Sequence, residues 1–169
     1  KIKDVCVNMV RNCQEWEKAG KGLYIWSKTP GSGKTFLACC LAKSLMVKYD
    51  KQMRFVTATD YINAVGDSYK RERGSEDESE IFRTCSILVF DVIGAQADKD
   101  WQRTEMFRLV NQRMADGNIT IYTSNMSANG LNVDERTKDR IIKQSIVLQM
   151  PEESIRRKKA QEEQNRFLR

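Results

Sequence analysis

Short apolar runs alternate with longer amphipathic stretches along the chain. Five runs have the length and the β-branched or aromatic content of strands, at about 23–26, 53–57, 86–91, 119–123 and 146–148. The run at 86–91 is almost entirely apolar and ends in a carboxylate, which is typical of a central parallel strand buried on both faces. Strands that alternate with helices predict an α/β protein with a five-stranded parallel sheet sandwiched between helices.

Helices are predicted in the intervals between these strands. Residues 1–20 are expected to form one lead-in helix closed by Gly20, and Thr59 or Asp60 is expected to cap the helix after the second strand. That helix would direct four residues inward: Tyr61, Ile62, Val65 and Tyr69. A helix at 98–116 offers a second apolar stripe, made of Trp101, Met106, Leu109, Val110 and Met114. Further helices are predicted at about 34–50, 133–143 and 152–167, and residues 70–80 read as a charged surface segment.

A glycine-rich segment, Ser-Lys-Thr-Pro-Gly-Ser-Gly-Lys-Thr at 27–35, joins the first predicted strand to its helix. Gly31 and Gly33 would let the backbone approach phosphate oxygens, Lys34 would add a cation, and Thr35 would offer its hydroxyl to Mg²⁺. The helix N-terminus behind the loop also favours anions. The alternative is a strand-to-helix turn that binds nothing. The predicted contacts to a nucleotide are Thr29, Pro30, Gly31, Ser32, Gly33, Lys34, Thr35 and Phe36.

Two polar residues follow other predicted strands. Asp91 ends the third strand and Asn125 follows the fourth, so both are expected at the carboxyl edge of the sheet, where ligands of such sheets bind. Asp91 suits a carboxylate that holds Mg²⁺ through its water shell, and Asn125 would orient a water or touch the terminal phosphate. The alternatives are a helix cap or turn residue for Asp91 and an Asx turn for Asn125.

Composition narrows the chemistry. The 169 residues contain no histidine, which excludes imidazole-based triads, and the five cysteines form no CxxC pair. Cys39, Cys40 and Cys85 fall in apolar elements, as free cysteines do in a reducing compartment, so the chain is expected to be cytoplasmic. Without a signal sequence or a long apolar run, no membrane partner is expected. It begins at Lys1 without methionine, and we expect it to be part of a longer protein. A net charge of +6 permits contact with nucleic acid, although a merely solvated basic surface would explain it equally well.

From Gly22 to about Arg157 the chain resembles the AAA+ domain of bacterial replicative helicase loaders of the DnaC/DnaI type, to which the transposition protein IstB is related. The matching segments are GLYIW (22–26), PGSGKT (30–35), LVFDVIG (88–94), DWQ (100–102), TSN (123–125), DER (134–136), DRI (139–141) and SIR (154–156). The resemblance implies a P-loop NTPase fold of the AAA+/ASCE branch that binds ATP with Mg²⁺. The expected parts are a lead-in helix at 1–20, the nucleotide-binding domain at 21–150 and a charged C-terminal helix or tail at 151–169.

Residue roles also follow from the resemblance. Asn125 resembles sensor 1, Arg140 the arginine finger that reaches a neighbouring subunit's nucleotide, and Arg156 a sensor 2-like arginine, with Arg136 as the second choice for the finger. A salt-bridged helix face is the alternative for these arginines. The predicted catalytic set is Lys34, Asp91, Asn125 and Arg140, with Thr35 and Asp91 at the metal.

Three positions depart from the family pattern. Val92 stands where a second acidic residue usually follows the strand, Gln96 stands at another usually acidic place, and Lys28 replaces the first glycine of the phosphate loop. Valine cannot act as a general base, so we expect ATP to be bound but hydrolysed slowly or not at all.

The function implied is that of the ATP-binding module of a helicase loader, which assembles with a ring-shaped replicative helicase and single-stranded DNA. In the loader family the helicase contact usually lies in an N-terminal part that would precede Lys1. The alternatives are a non-hydrolysing adaptor in transposition or phage replication and, less well supported, a small-molecule phosphotransferase. The residues considered for DNA contact, each with a solvated helix face as the alternative, are Tyr61, Tyr69, Lys70, Arg71 and Arg73.

Overall fold

Five parallel strands form one sheet in the order β2-β3-β4-β1-β5. A computed structural model of the chain describes residues 1–69, 79–94 and 99–168. The strands are β1 (Gly22–Trp26), β2 (Met53–Thr57), β3 (Ile87–Asp91), β4 (Ile119–Ser124) and β5 (Ser145–Gln149). All five predicted strands are present, and β3 is buried along its whole length between β2 and β4, as its apolar run indicated.

Helices connect the strands and cover both faces of the sheet. They are α1 (Ile2–Arg11), α2 (Cys13–Lys18), α3 (Lys34–Tyr49), α4 (Ala58–Ser68), α5 (Glu80–Thr84), α6 (Asp100–Ala115), α7 (Glu135–Gln144) and α8 (Ile155–Phe167). Alternate side chains of the strands enter two cores. Leu23 and Ile25 pack with α1 and α3 on one face, while Tyr24 packs with α4, α6 and α7 on the other.

The lead-in segment is two helices rather than the single one predicted. Asn12 leaves the helical conformation, with φ −116° and ψ 36°, and the Trp16 indole N–H donates to the side-chain oxygen of Asn8 across the break. Cys6, Met9 and Cys13 lie in the same apolar core, at a spacing that a continuous helix would also place on one face. The hydrogen bond between Trp16 and Asn8 is the side-chain contact that spans the turn.

The start and end of α4 also differ from the prediction. Thr57 caps the helix by accepting the Asp60 N–H at 3.0 Å, so neither Thr59 nor Asp60 is the cap. Tyr61, Ile62 and Val65 are buried as expected. Tyr69 lies beyond the last turn and is 66% exposed, so its predicted inward orientation is wrong.

Arg113 is a buried cation that was not predicted from the sequence. In α6 the apolar stripe includes Arg113, whose side chain is fully buried, whereas Met114 is half-buried and Trp101 is exposed. Arg113 donates to the backbone oxygens of Phe82, Arg83, Cys85 and Ile119 and to the hydroxyl of Thr120, at 2.7–3.3 Å. Burial lowers the pKa of its guanidinium. Arg113 therefore connects α6 to α5 and to the start of β4.

Several predicted positions lie outside the described residues: Lys70, Arg71, Arg73 and Gln96, with most of the charged segment at 70–80. Within the described part of the chain, no helix combines the length and apolar character needed to cross a membrane.

Candidate nucleotide-binding site

The loop between β1 and α3 has the backbone that its glycines predict. Gly31 and Gly33 adopt φ of +80° and +93°, a region that disfavours other residues. A Cβ at Gly31 would lie 2.8 Å from the Ser154 hydroxyl oxygen, so this position also needs glycine for space. Lys28 is exposed, and among the described residues only Asp50 and Val92 are non-glycine residues with positive φ. Replacement of the first motif glycine by Lys28 therefore introduces no backbone strain.

Lys34 lies at the start of α3 with its ammonium folded into the loop. Its Nζ donates to the backbone oxygens of Ser27 at 3.2 Å and Thr29 at 3.1 Å, and to the Ser32 hydroxyl at 3.3 Å. The side chain is 8% exposed, and burial lowers its pKa while nearby Asp91 partly opposes the shift. A buried ammonium with only neutral acceptors in hydrogen-bonding range favours an anion in the loop.

Asp91 ends β3 beside the first turn of α3. The Thr35 hydroxyl donates to its Oδ1 at 2.8 Å, and the Thr123 hydroxyl donates to the same oxygen at 2.5 Å. The two residues predicted to hold the metal are thus in direct contact. A hydroxyl and a carboxylate are oxygen ligands of the kind that Mg²⁺ uses, with water and phosphate oxygens completing its shell. The donor set therefore fits magnesium.

Val92 occupies the position of the expected general base. It adopts φ +56°, which is strained for a β-branched residue, and its N–H donates to the Thr123 hydroxyl at 3.0 Å. Ile93 N–H donates to the backbone oxygen of Thr123 at 2.9 Å. The Val92 side chain is 36% exposed. The site therefore presents apolar surface where a carboxylate would be needed to activate water.

A cleft of about 420 Å³ adjoins the phosphate loop. One wall is formed by residues 31–36, with the Phe36 ring 76% exposed, and the other by the first turns of α8. The Arg156 N–H donates to the backbone oxygen of Gly31 at 3.4 Å, which attaches α8 to the loop. Ile155, Arg156 and Lys159 line the cleft from α8.

The other predicted site residues do not line this cleft. Asn125 is exposed immediately after β4, and Pro30 is exposed on the loop. Arg140 lies on α7, where its Nε donates to the Asn111 side-chain oxygen at 2.9 Å and its guanidinium carbon lies 4.7 Å from the centre of the Phe107 ring. Arg136 lies 5.0 Å from the same ring. Neither arginine lines the cleft.

Sequence reasoning missed Thr123 and Lys159. Thr123 was assigned only to a strand, yet it is a polar residue at the carboxyl end of a buried strand, the same signal that identified Asp91. Lys159 lies three residues after Arg156, a spacing that puts two cations on one face of a helix.

A parallel sheet in this order, a phosphate loop after β1 and a carboxylate at the end of β3 define a P-loop nucleotide-binding protein of the AAA+ class. The family model of the IstB-like ATP binding protein matches residues 23–163. The chain belongs to this family.

Helicase loaders are among its relatives. The chain is 32% identical over 113 residues to the replicative helicase loader DnaI of Bacillus subtilis, covering 66% of this chain and 35% of DnaI. It is 26% identical over 121 residues to the replicative helicase loader DnaC of Escherichia coli, covering 70% of this chain and 49% of DnaC. The crystal structure of the DnaC helicase loader has the same fold, with a TM-score of 0.75 at 24% identity over 87% of this chain and 86% of that one. The predicted fold and family are confirmed, and the chain spans half or less of these two relatives.

Proposed function

We propose that the chain is the ATP-binding module of a replicative helicase loader that works in the cytoplasm. The observation that carries the proposal is the hydrogen bond between Thr35 and Asp91 beside the anion-binding loop. Thr35, and Asp91 through water, would hold Mg²⁺, which neutralises charge on the phosphates. Lys34 and the loop amides would bind the phosphates, Phe36 and Arg156 would contact the nucleotide from the cleft walls, and Asn125 would meet the terminal phosphate. The proposed parts are a lead-in segment at 1–20, the nucleotide-binding domain at 21–150 and a charged C-terminal helix or tail at 151–169, in which α8 spans Ile155–Phe167.

Slow hydrolysis is part of this proposal. The Val92 side chain has no proton-accepting group, and Val92 directly follows Asp91 at the carboxyl end of β3. Lys34, Thr35 and Asp91 remain, so binding and charge neutralisation are retained while water activation is lost. The nucleotide would then act chiefly as a switch for assembly.

Val92→Asp should raise the rate of ATP hydrolysis at least about tenfold, because a general base contributes ~10²–10⁴-fold when it is well placed. The control is Val92→Asn, which relieves the same positive φ without supplying a charge and should leave turnover at the wild-type rate. Phosphate release under saturating ATP measures both. Rapid turnover by the wild type, or equal rates for the two variants, would contradict impaired hydrolysis at this position.

A ring-shaped replicative helicase is the proposed protein partner, supported by the similarity to DnaI and DnaC. The 169 residues span half or less of those loaders, so the binding experiment with the helicase should use the full-length protein. ATP-dependent capture of the replicative helicase of the same organism supports a loader. Capture of a transposase instead would support the alternative, a nucleotide-gated adaptor in transposition, which the family's IstB-like model makes the second choice.

Single-stranded DNA is the proposed nucleic-acid partner. Tyr61 does not contribute, because it is fully buried between the rings of Phe82 and Phe90. A groove of about 860 Å³ lies between α4 and α6, and two exposed aromatic residues, Tyr69 and Trp101, meet edge to face in its wall at 6.5 Å between ring centres. Exposed aromatic rings are stacking platforms for unpaired bases.

Trp101→Ala should weaken binding of a short single-stranded oligonucleotide about tenfold, since one stacked base contributes ~1–3 kcal/mol. Phe167→Ala is the control, because this ring is also exposed but lies at the far end of α8. Fluorescence anisotropy at one fixed salt concentration measures both. Equal affinities for wild type and Trp101→Ala would remove this groove from the proposal.

Assembly of several subunits through Arg140 completes the proposal. Its contacts with Asn111 and Phe107 hold the guanidinium at the surface of its own subunit, suited to reach a nucleotide bound by another. Arg140→Ala should abolish ATP-dependent self-association in sedimentation velocity while leaving nucleotide affinity unchanged. Arg136→Ala removes the other guanidinium that lies over the Phe107 ring, and this variant should retain association. The reverse pattern would transfer the role to Arg136, and unchanged association in both would exclude a finger on α7.

A further inference from the structure

The Thr123 hydroxyl forms hydrogen bonds with both Asp91 and Val92, the last residue of β3 and the residue that follows it. It is 1% exposed, donates to Asp91 Oδ1 at 2.5 Å and accepts the Val92 N–H at 3.0 Å. The directions are fixed, because an ionised carboxylate only accepts and an amide N–H only donates. A single hydroxyl thus satisfies both bonds in one geometry.

The carboxylate of Asp91 is held from two sides. Thr35 on α3 and Thr123 on β4 both donate to Oδ1. If the Thr35 hydroxyl is directed to a metal ion, Thr123 remains the protein group that fixes the orientation of the carboxylate. Thr123 is buried, so its hydroxyl acts on a ligand only through Asp91.

The strained turn after β3 depends on the same residue. A β-branched residue at positive φ is disfavoured by its own side chain, and such strain persists only where the surroundings impose it. Here Thr123 accepts two successive N–H groups, Val92 through its hydroxyl and Ile93 through its backbone oxygen at 2.9 Å. The end of β4 therefore determines both the position of Asp91 and the conformation of Val92.

We propose that Thr123 is the positioning residue of the magnesium carboxylate: its hydroxyl orients Asp91 and thereby makes nucleotide affinity dependent on Mg²⁺. The inference rests on the proposed binding of ATP and Mg²⁺. Thr123 acts through Asp91 and the Val92 amide, without touching the nucleotide.

The test compares Thr123→Val, which keeps the shape but loses the hydroxyl, with Thr123→Ser, which keeps the hydroxyl. Equilibrium binding of a fluorescent ATP analogue is measured with Mg²⁺ and with EDTA. Thr123→Val should weaken binding about tenfold in Mg²⁺, in line with the ~10–100-fold effects of groups behind metal ligands, and leave binding in EDTA unchanged. Thr123→Ser should restore the magnesium dependence.

A second readout needs no nucleotide. In the ligand-free protein, hydrogen exchange of the Val92 amide should be fast in Thr123→Val and slow in the wild type and Thr123→Ser. Thr120→Val is the structural control, since Thr120 is equally buried on β4 but its hydroxyl accepts from Arg113. It should lower stability without changing the magnesium dependence or Val92 exchange. Should Thr123→Val fail to fold, Thr123→Cys, whose thiol is a weak donor, is expected to show the same selective loss.

The outcomes separate this inference from the proposed function. Wild-type protein that binds no nucleotide overturns the proposed function, whatever Thr123 does. Wild-type binding that is matched by Thr123→Val in Mg²⁺ overturns the role of Thr123 alone. Equal loss in Mg²⁺ and in EDTA would make Thr123 a purely structural residue and would likewise overturn the inference.

Discussion

Arg113→Met should lower the free energy of unfolding by about 4 kcal/mol. Methionine fills much of the volume but donates no hydrogen bond, so the backbone oxygens of Arg83, Cys85 and Ile119 and the Thr120 hydroxyl lose the bonds that Arg113 donates. Each unsatisfied buried group costs ~1–3 kcal/mol, and partial rearrangement reduces the sum. Urea denaturation with a linear extrapolation measures the change.

Arg11→Met is the matched control. Arg11 is exposed at the end of α1, so the same chemical change there should alter stability by less than about 0.5 kcal/mol. A loss below about 1 kcal/mol in Arg113→Met would mean that the carbonyl oxygens find other donors. In that case Arg113 would not be the connection between α5, α6 and β4 that its hydrogen bonds indicate.

Lys34→Ala should weaken nucleotide binding at least about 100-fold. The ammonium lies in the loop within 3.3 Å of three oxygen atoms, where it would pair with the phosphates of a bound nucleotide. Truncation of one partner of such a buried charge pair costs ~2–5 kcal/mol. The substitution also removes the bonds that hold Ser27 and Thr29 around the loop. Isothermal titration with an ATP analogue in Mg²⁺ measures the loss, and urea denaturation checks that the variant is folded.

Lys43→Ala provides the control for this experiment. Lys43 is an exposed lysine on the same helix, about two turns further along, so its removal changes the net charge equally. Its affinity should stay within about twofold of wild type, because exposed charges at such distances are largely screened. Near-wild-type affinity in Lys34→Ala would mean that the loop does not bind the phosphates.

The sheet was predictable because strands that are buried on both faces are apolar at successive positions, and this pattern is visible in the sequence. Apolar runs identified β1 and β3, β-branched and aromatic residues identified β4, and the glycine-rich segment located the loop between β1 and α3. The rule that parallel strands deliver ligand-binding groups at their carboxyl ends also predicted that Thr35 and Asp91 would come together. These features depend on residues close in sequence or on strand topology.

The features that were missed depend on tertiary contacts. The burial of Arg113 follows from carbonyl oxygens that α5 and β4 supply. The positive φ of Val92 exists because Thr123, on a neighbouring strand, accepts its N–H. A local pattern carries no information on such partners, which are brought together only by the fold.

Titration of the wild-type chain with a fluorescent ATP analogue, in Mg²⁺ and again in EDTA, tests the central claim most directly. A triphosphate held by the loop, with its metal at Thr35 and Asp91, predicts saturable one-to-one binding that weakens at least about tenfold when Mg²⁺ is removed. Absence of saturable binding in Mg²⁺, or the same affinity in both conditions, would contradict the assignment of this cleft to a magnesium–nucleotide complex.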